Sequence, residues 1–410
     1  MPSSESHSLN PFRVLVRHRN FRLFWLGQTA SLIGTWMQST AQGWLALELT
    51  NDPFLVTVVY ASSSLPVAIL TLYGGVVADR RDRLRLVTVA QACLLAQAVL
   101  LWWLAWSGHV TIGWLIGLAL ASGIVNAFEI PARQSLLIEL VGREDLIDAI
   151  ALNSSGFNLA RIIGPAVGGL VIARAGLAAA FGANAVSYLA VLAGLLMIRL
   201  PPRTVSAPQG SPFAVLREGL GYIRRTPEVW ALLRLVAVYA VCGAPYLALM
   251  PVIARETLRG GASTYGWLLG AVGTGAILAA LALALLSSRT SRGQLLRYGA
   301  LAFPILLIAF SFSRSFALSA ALLVAVGFSM IVTNAVANGL LQTTTPDALR
   351  GRVMAAYSWV FVGVGPVIGP YVAGAVAKHA GAPVAVGIGA AITLAYGTWA
   401  FAARPELRSL

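Results

Sequence analysis

Gly75-Val-Val-Ala-Asp79-Arg80-Arg81-Asp82-Arg83-Leu-Arg85 packs six charges into seven residues between two long apolar runs. Only 11% of the chain is charged, so the cluster is an interruption and not a sample of the composition. Runs of about 20 apolar residues are long enough to cross a bilayer. The cluster therefore reads as a tight turn held at one membrane face. The arginines alone fit a solvated loop on the positive side of a membrane. An acid placed four residues after a glycine does not follow from that rule and asks for a specific partner.

Composition points the same way. A soluble domain is about 25% charged and about 45–50% apolar. This chain of 410 residues is 58% hydrophobic, with a mean hydropathy of +0.78. A single core cannot hide that much apolar surface from water, and a lipid bilayer is the expected partner. The net charge of +14 would suggest nucleic acid in a soluble protein. Here the basic residues sit in short loops, so membrane topology explains them and no nucleic-acid partner is expected. Cys93 and Cys242 fall inside apolar runs and predict no disulfide framework. His7, His18, His109 and His379 all lie near loops, and no phosphate-binding glycine loop is found. The reading is a non-enzyme, with no catalytic residue, no metal and no cofactor. Residues 1–11 are polar with no small-residue cleavage site after them, so the first apolar run is expected to be retained.

Twelve spans are predicted, at roughly 21–47, 54–77, 85–106, 110–131, 149–173, 177–198, 228–251, 263–287, 295–313, 316–341, 352–377 and 382–403. With the N-terminus in the cytoplasm, 22 of the 29 basic residues fall on the cytoplasmic side, five fall outside, and Arg161 and Arg234 lie within spans. That bias predicts both termini in the cytoplasm of a multi-pass protein in a bacterial inner (plasma) membrane. The stretch 199–227 opens on Pro201-Pro202 and carries five arginines. It is read as a cytoplasmic linker whose part at 213–225 is an amphipathic helix on the membrane surface. It separates an N-terminal half, 1–198, from a C-terminal half, 228–410. The halves echo each other: Gly164-Pro165-Ala-Val-Gly168 matches Gly365-Pro366-Val-Ile-Gly369, and Ser288-Arg289-Thr-Ser-Arg292 is a worn copy of the opening turn that has lost its acid. Repeated halves are a mark of transporter folds.

Polar residues recur at helical spacing within the apolar spans. Span 1 carries Gln28, Ser31, Thr35, Gln38 and Gln42; span 4 carries Ser122, Asn126, Glu129 and Arg133; span 5 carries Ser154, Asn158 and Arg161. Span 7 has Tyr239, Cys242 and Tyr246, with Arg234 two turns earlier; span 10 has Asn334, Asn338 and Gln342. In lipid such faces must turn to protein or to a water-filled cavity. Gln28, Thr35, Gln38, Gln42, Asn126, Asn158, Arg234, Tyr239, Tyr246, Asn334 and Asn338 are therefore expected to line a central cavity. The competing reading is that small polar groups stitch helices together. A buried charge costs at least ~2.5–3.5 kcal/mol on insertion scales, so Glu129 and Arg161 need partners. They are expected to pair and to form a proton switch. A Glu129–Arg133 pair at i+4 is the alternative.

Three further stretches carry a family resemblance: Arg19-Asn20-Phe21-Arg22 running on to Gln28 and to Gly34-Thr35-Trp36-Met37-Gln38; Asn153-Ser-Ser-Gly-Phe-Asn158-Leu-Ala-Arg161-Ile-Ile-Gly164-Pro165; and Gly351-Arg352-Val-Met-Ala. With the G-x-x-x-D-R-x-x-R turn, the chain resembles the major facilitator superfamily. Within it the chain resembles the transmembrane secretion effectors, which include enterobactin-exporter-like and macrolide-efflux-like proteins. The resemblance implies an all-α integral membrane protein of major facilitator fold, twelve transmembrane helices in two six-helix halves. It also implies that Gly75, Asp79, Arg80 and Arg83 form a conformational latch. Asp79 would face the start of span 11 near Gly351–Met354, and Arg80 or Arg83 would lie near Glu129 or Glu139. Gly164, Pro165, Gly168 and Gly169 resemble the span-5 motif of antiporters, although the upstream glycine of that motif is Ala160 here. Many relatives carry Asp where Thr35 stands, which moves weight as a proton site onto Glu129.

The expected function is secondary active export of a small amphipathic molecule (a drug, macrolide or siderophore-like metabolite) by proton antiport with alternating access, in a monomer. Uptake or facilitated diffusion of a small polar solute is the alternative within transport. A non-transporting scaffold or receptor is the alternative outside it.

Overall fold

The computed structural model describes residues 12–200, 221–286 and 291–404. Within them all regular structure is helical. A short helix α1 (Arg13–Arg17) leads into α2 (Arg19–Thr50), α3 (Pro53–Arg80), α4 (Arg83–Trp106), α5 (Ile112–Val141) and α6 (Leu146–Leu196). After the linker come α7 (Pro227–Val238), α8 (Tyr246–Val252), α9 (Ala262–Leu286), α10 (Arg292–Phe312), α11 (Phe316–Thr344), α12 (Asp347–Ser358), α13 (Gly365–Ala380) and α14 (Ala382–Ala403). Residues 201–220 hold most of the expected linker and much of its amphipathic stretch, and 287–290 hold most of the worn turn copy. Both lie outside the described residues.

Among the described residues, ten helical stretches are long and apolar enough to span a bilayer. Two local features reconcile ten with twelve. The 51-residue α6 turns at Gly176, φ +82°, a conformation that costs a glycine little, so one continuous element supplies spans 5 and 6. The 32-residue α2 is not among the ten, because its polar stripe lowers its hydropathy. It is kept from lipid instead, with Phe21, Phe24, Ala41 and Leu47 almost fully buried.

The helix ends follow their sequence signals. Asp52, Asp82, Thr111 and Ser291 each accept a backbone N–H as side-chain caps of α3, α4, α5 and α10. Spans 7 and 11 depart from regular α-helix through π-helical segments at Tyr239–Gly243, Ile253–Thr257 and Trp359–Val364. Each lies within two residues of a proline: Pro245, Pro251 or Pro366. Proline has no N–H to donate, so the hydrogen-bond register slips by one residue nearby.

The apolar cores show how the halves sit. Near the face that carries both chain ends, one buried cluster runs from Val14 to Ile198 and a separate one from Ile223 to Phe401. Toward the opposite face a single cluster spans both halves, from Met37 through Phe181 to Tyr246, Phe310 and Ala390. The halves are therefore joined at the opposite face and parted at the terminal one. A cleft of about 240 Å³ near the terminal side lies between Thr71, Pro131 and Gln134 of one half and Ala355, Ser358 and Trp359 of the other.

The join is built from close backbone approaches. A Cβ on Gly374 (α13) would collide with the Thr57 hydroxyl of α3, and one on Gly266 (α9) with the Pro165 carbonyl of α6. Trp44 stacks on Tyr265 at 6.4 Å. Beside the terminal-side cleft the Trp359 indole N–H also donates across the halves, to the Ala68 carbonyl at 3.1 Å.

An ion pair closes the rim: Lys378, the only lysine in the chain, donates to Asp52 at 2.7 Å. That bond holds the Asp52 carboxyl below the usual carboxylate range, helped by the Phe54 N–H and opposed by partial desolvation. A depressed pKa means that the contribution is complete above the ordinary value near pH 4 and is lost as pH falls through the depressed one. The pair is half exposed, worth about 0–1 kcal/mol. In a protein carrying the reporter substitution Ser39→Cys, Asp52→Asn is expected to raise the rate of labelling by an impermeant maleimide from that face by up to ~5-fold. An unchanged rate would show the pair to be ornamental.

Candidate functional site

The charged turn is fixed mainly within its own half. Arg83, with a side chain only 11% exposed, donates to the Ser135 carbonyl and to Glu139, both at 3.0 Å, and to Asp79 at 3.4 Å. This ties the α3–α4 turn to the end of α5, and Arg83 meets Glu139 as the resemblance implies. Arg80 is exposed. Arg83 is the one partner of Asp79 among the described residues, so Asp79 does not engage Gly351–Met354 in this state. Gly75 and Gly351 both face open space.

The Gly-Pro motif of α6 does the reverse. Gly164 lies against Trp36 and Ile33 of α2, and Gly168 against Met37. Gly169 meets Ala262 and Gly266 of α9, across the join between the halves. Pro165 leaves its carbonyl pressed toward Gly266. The motif packs span 5 against span 1 on one side and span 8 on the other.

Two stripe residues of α2 are not where the stripe argument places them. Thr35 and Gln38 point into the N-terminal half and not into the space between halves. Gln38 donates to Gln97 of α4 at 3.2 Å and accepts from Asn184 of α6 at 2.7 Å. Thr35 hydrogen-bonds Tyr188 at 3.2 Å. Gln28 is buried and its Oε1 has no partner. Periodicity identifies a polar face but not its neighbour. Here the neighbours are Gln97 of α4 and Asn184, the only amide side chain in the second part of α6. Only Gln42, further along α2, reaches the central space.

The expected Glu129–Arg161 pair is not formed. Glu129, 3% exposed, accepts from Arg133 Nε at 2.9 Å and from Gln91 at 3.1 Å. The i+4 partner wins because it shares a helix face and needs no reach between α5 and α6. Arg161 has no hydrogen-bonding or ion-pairing partner among the described residues, and its Nη2 is wholly buried.

The other cavity-lining expectations divide. Asn158 donates to the Ser154 carbonyl of its own helix. Asn126 is half-buried, with no hydrogen bond among the described residues. Arg234 sits over the Trp230 ring at 5.3 Å, near the terminal side. Tyr239 stacks on Phe303 at 4.2 Å, and Tyr246 meets the same ring edge-on. Asn334 is buried, and Asn338 accepts from Gln342 at 2.5 Å.

What lies between the halves is a pair of adjoining cavities, about 120 and 200 Å³, sharing Trp36, Ser39, Tyr60, Leu247 and Tyr265. Arg161 borders the first. Tyr60 and Tyr265 carry no motif, Trp36 lies in a family stretch, and sequence reasoning placed none of the three in the cavity. The one available signal was an aromatic within an otherwise small or aliphatic span. A concave, mostly apolar space with a few convergent polar groups is what a small-molecule site requires.

The comparisons with known proteins agree with this architecture. The family model of the transmembrane secretion effectors matches residues 7–408. The multidrug efflux pump Tap of Mycolicibacterium fortuitum is 27% identical over 350 residues, covering 82% of this chain and 84% of that one. The enterobactin exporter EntS of Shigella boydii is 25% identical over 341 residues, covering 83% and 81%. The fold matches a bacterial homologue of the human lysosomal transporter Spinster, solved inward-facing and unoccupied. The TM-score is 0.78, with 14% identity, 98% of this chain covered and 99% of that one. A match over nearly the whole chain, on a two-half helical fold with a cavity at its join, places the protein among the transmembrane secretion effectors, transporters of the major facilitator superfamily and not enzymes.

Proposed function

We propose that the protein exports a small amphipathic molecule from the cytoplasm by alternating access, driven by protons moving the other way. The observation that carries this is the arrangement of the halves, joined at one face and parted at the other around an aromatic-lined cavity. With the arginine-rich terminal face in the cytoplasm, the state described is the loading state of an exporter. The efflux and exporter relatives support the direction of transport.

Glu129 is the proton site in this reading. Protonation removes the charge that holds Arg133, and the energy of that pair becomes available to bias the two states. Asp79 acts at the other end of the cycle. When the terminal face closes, it meets the N-terminal end of α12, whose dipole favours an anion, and Gly75 and Gly351 permit the approach.

Asp79→Asn is expected to lower efflux by ~5-fold or more with membrane abundance unchanged, the range of a coupling term of about 1 kcal/mol. Normal efflux in that variant would remove the latch.

The reading as a whole is tested in inverted vesicles with an imposed pH gradient and a panel of dyes, macrolides and catecholate compounds. Accumulation that collapses with a protonophore is the expected result. Equilibration independent of the gradient would make the protein a facilitator.

A further inference from the structure

Other deeply placed ionic groups have a counter-charge or an aromatic face: Glu129 has Arg133, Arg83 has Glu139, and Arg234 has Trp230, although Arg83 and Arg234 each keep a buried Nε without an acceptor. Arg161 has none among the described residues, and its Nη2 is buried without a hydrogen-bond acceptor. It borders a cavity whose lining contains no carboxylate. The Arg161 guanidinium thus borders this space with a buried donor that nothing accepts from. Buried polar groups in native proteins are nearly always satisfied, and an exception is commonly explained by an ion or ligand that belongs there.

The walls supply the rest of the description. Trp36, Tyr60 and Tyr265 present ring faces, and Leu247, Leu269 and Met330 are apolar. A planar or acyl body fits such walls, and a cationic head does not fit beside an uncompensated guanidinium. A guanidinium offers a planar fork of donors matched to carboxylate, sulfonate or phosphate oxygens.

We propose that Arg161 binds the anionic group of the cargo, so that this transporter selects amphiphiles carrying one negative charge on an aromatic or acyl body. This deepens the exporter reading and rests on it for the word cargo; the binding site itself does not depend on proton coupling. Because Arg161 belongs to the N-terminal half and Leu247, Tyr265 and Met330 of the same cavity to the C-terminal half, a molecule held there touches both halves. Loading is thereby linked to the conformation in which they meet.

The test uses one fluorophore with two charges. Dansylglycine carries a carboxylate and dansylcadaverine an ammonium, and both brighten on entering an apolar site. With the full-length protein in detergent or nanodiscs, dansylglycine is expected to bind the wild type in preference to dansylcadaverine. Arg161→Gln is expected to weaken dansylglycine by ~10-fold or more while dansylcadaverine binds as well or better. Arg161→Lys should retain part of the affinity. The empty Arg161→Gln protein should melt no lower than the wild type, since an unpaired buried charge is removed; a structural arginine would lower it.

Failure of dansylglycine to bind the wild type, or equal effects of Arg161→Gln on both probes, overturns the proposal. Proton-driven export of cationic dyes that is indifferent to Arg161 overturns it too, while leaving the exporter reading intact. Arg161-dependent binding of dansylglycine without any proton-driven transport has the opposite meaning: it sustains the anion site and sinks the exporter.

Discussion

Glu129→Gln is expected to lower proton-driven accumulation sharply while leaving the protein folded and able to bind cargo. The side chain is 3% exposed in the membrane-spanning part of α5 and accepts two hydrogen bonds on one oxygen. Glutamine keeps an acceptor for Arg133 and Gln91, so the local geometry survives. What is lost is the charge that a proton can cancel. Arg133, four residues nearer the terminal face, can carry its own charge toward water along its alkyl stem. The expected drop in gradient-driven transport is ~5–150-fold, the factor supplied by a coupling free energy of about 1–3 kcal/mol. Facilitated movement down a cargo gradient should persist in the same vesicles. Wild-type accumulation in Glu129→Gln would move the proton site elsewhere, and no other carboxylate in the described spans is so deeply buried.

Gly266→Leu has the second large effect, by a different route. A Cβ at this position would stand 2.6 Å from the Pro165 carbonyl and 2.9 Å from the Gly169 Cα, both in the other half. The collision is with backbone, which cannot rotate away. Overpacking of this kind costs about 1–3 kcal/mol or more. Here the cost falls on closure and not on folding, because each half keeps its own terminal-side core. The variant is expected to populate the state open at the face opposite the termini and to lose transport. A Ser39→Cys reporter in a Cys93→Ser, Cys242→Ser background reads this directly, since Ser39 lines both cavities. Its labelling from that face should rise by ~5-fold or more. Unchanged labelling with lost transport would mean that the helix had distorted locally.

The fold was legible because lipid leaves so few choices. Backbone groups must be satisfied within each span, so hydropathy marks out the helices. The turn at Asp79–Arg85 and the Gly-Pro motif of α6 carried the family, since their spacing reflects close approaches that the structure contains. The site was less legible. Gln38 and Gln42 are four residues apart on one stripe, yet the first is bonded inside the N-terminal half and the second reaches the cavity. The stripe spreads over enough of α2 to touch both. Glu129 and Arg161 looked like partners because they are the unusual charges of neighbouring spans. The nearer Arg133 took Glu129. The π-helical segments of spans 7 and 11 had a signal in their prolines, but proline foretells a disturbed helix without saying which way it shifts.

The central claim is that cargo and protons move in opposite directions through one cycle. Purified protein in sealed liposomes, with a pH-sensitive dye inside and no imposed pH difference, tests it. Cargo added outside enters through the copies whose terminal face points outward and should drive protons out, raising the internal pH. The rise should be absent in Glu129→Gln and abolished by a protonophore. Cargo entry in the wild type with no change of internal pH would contradict the account.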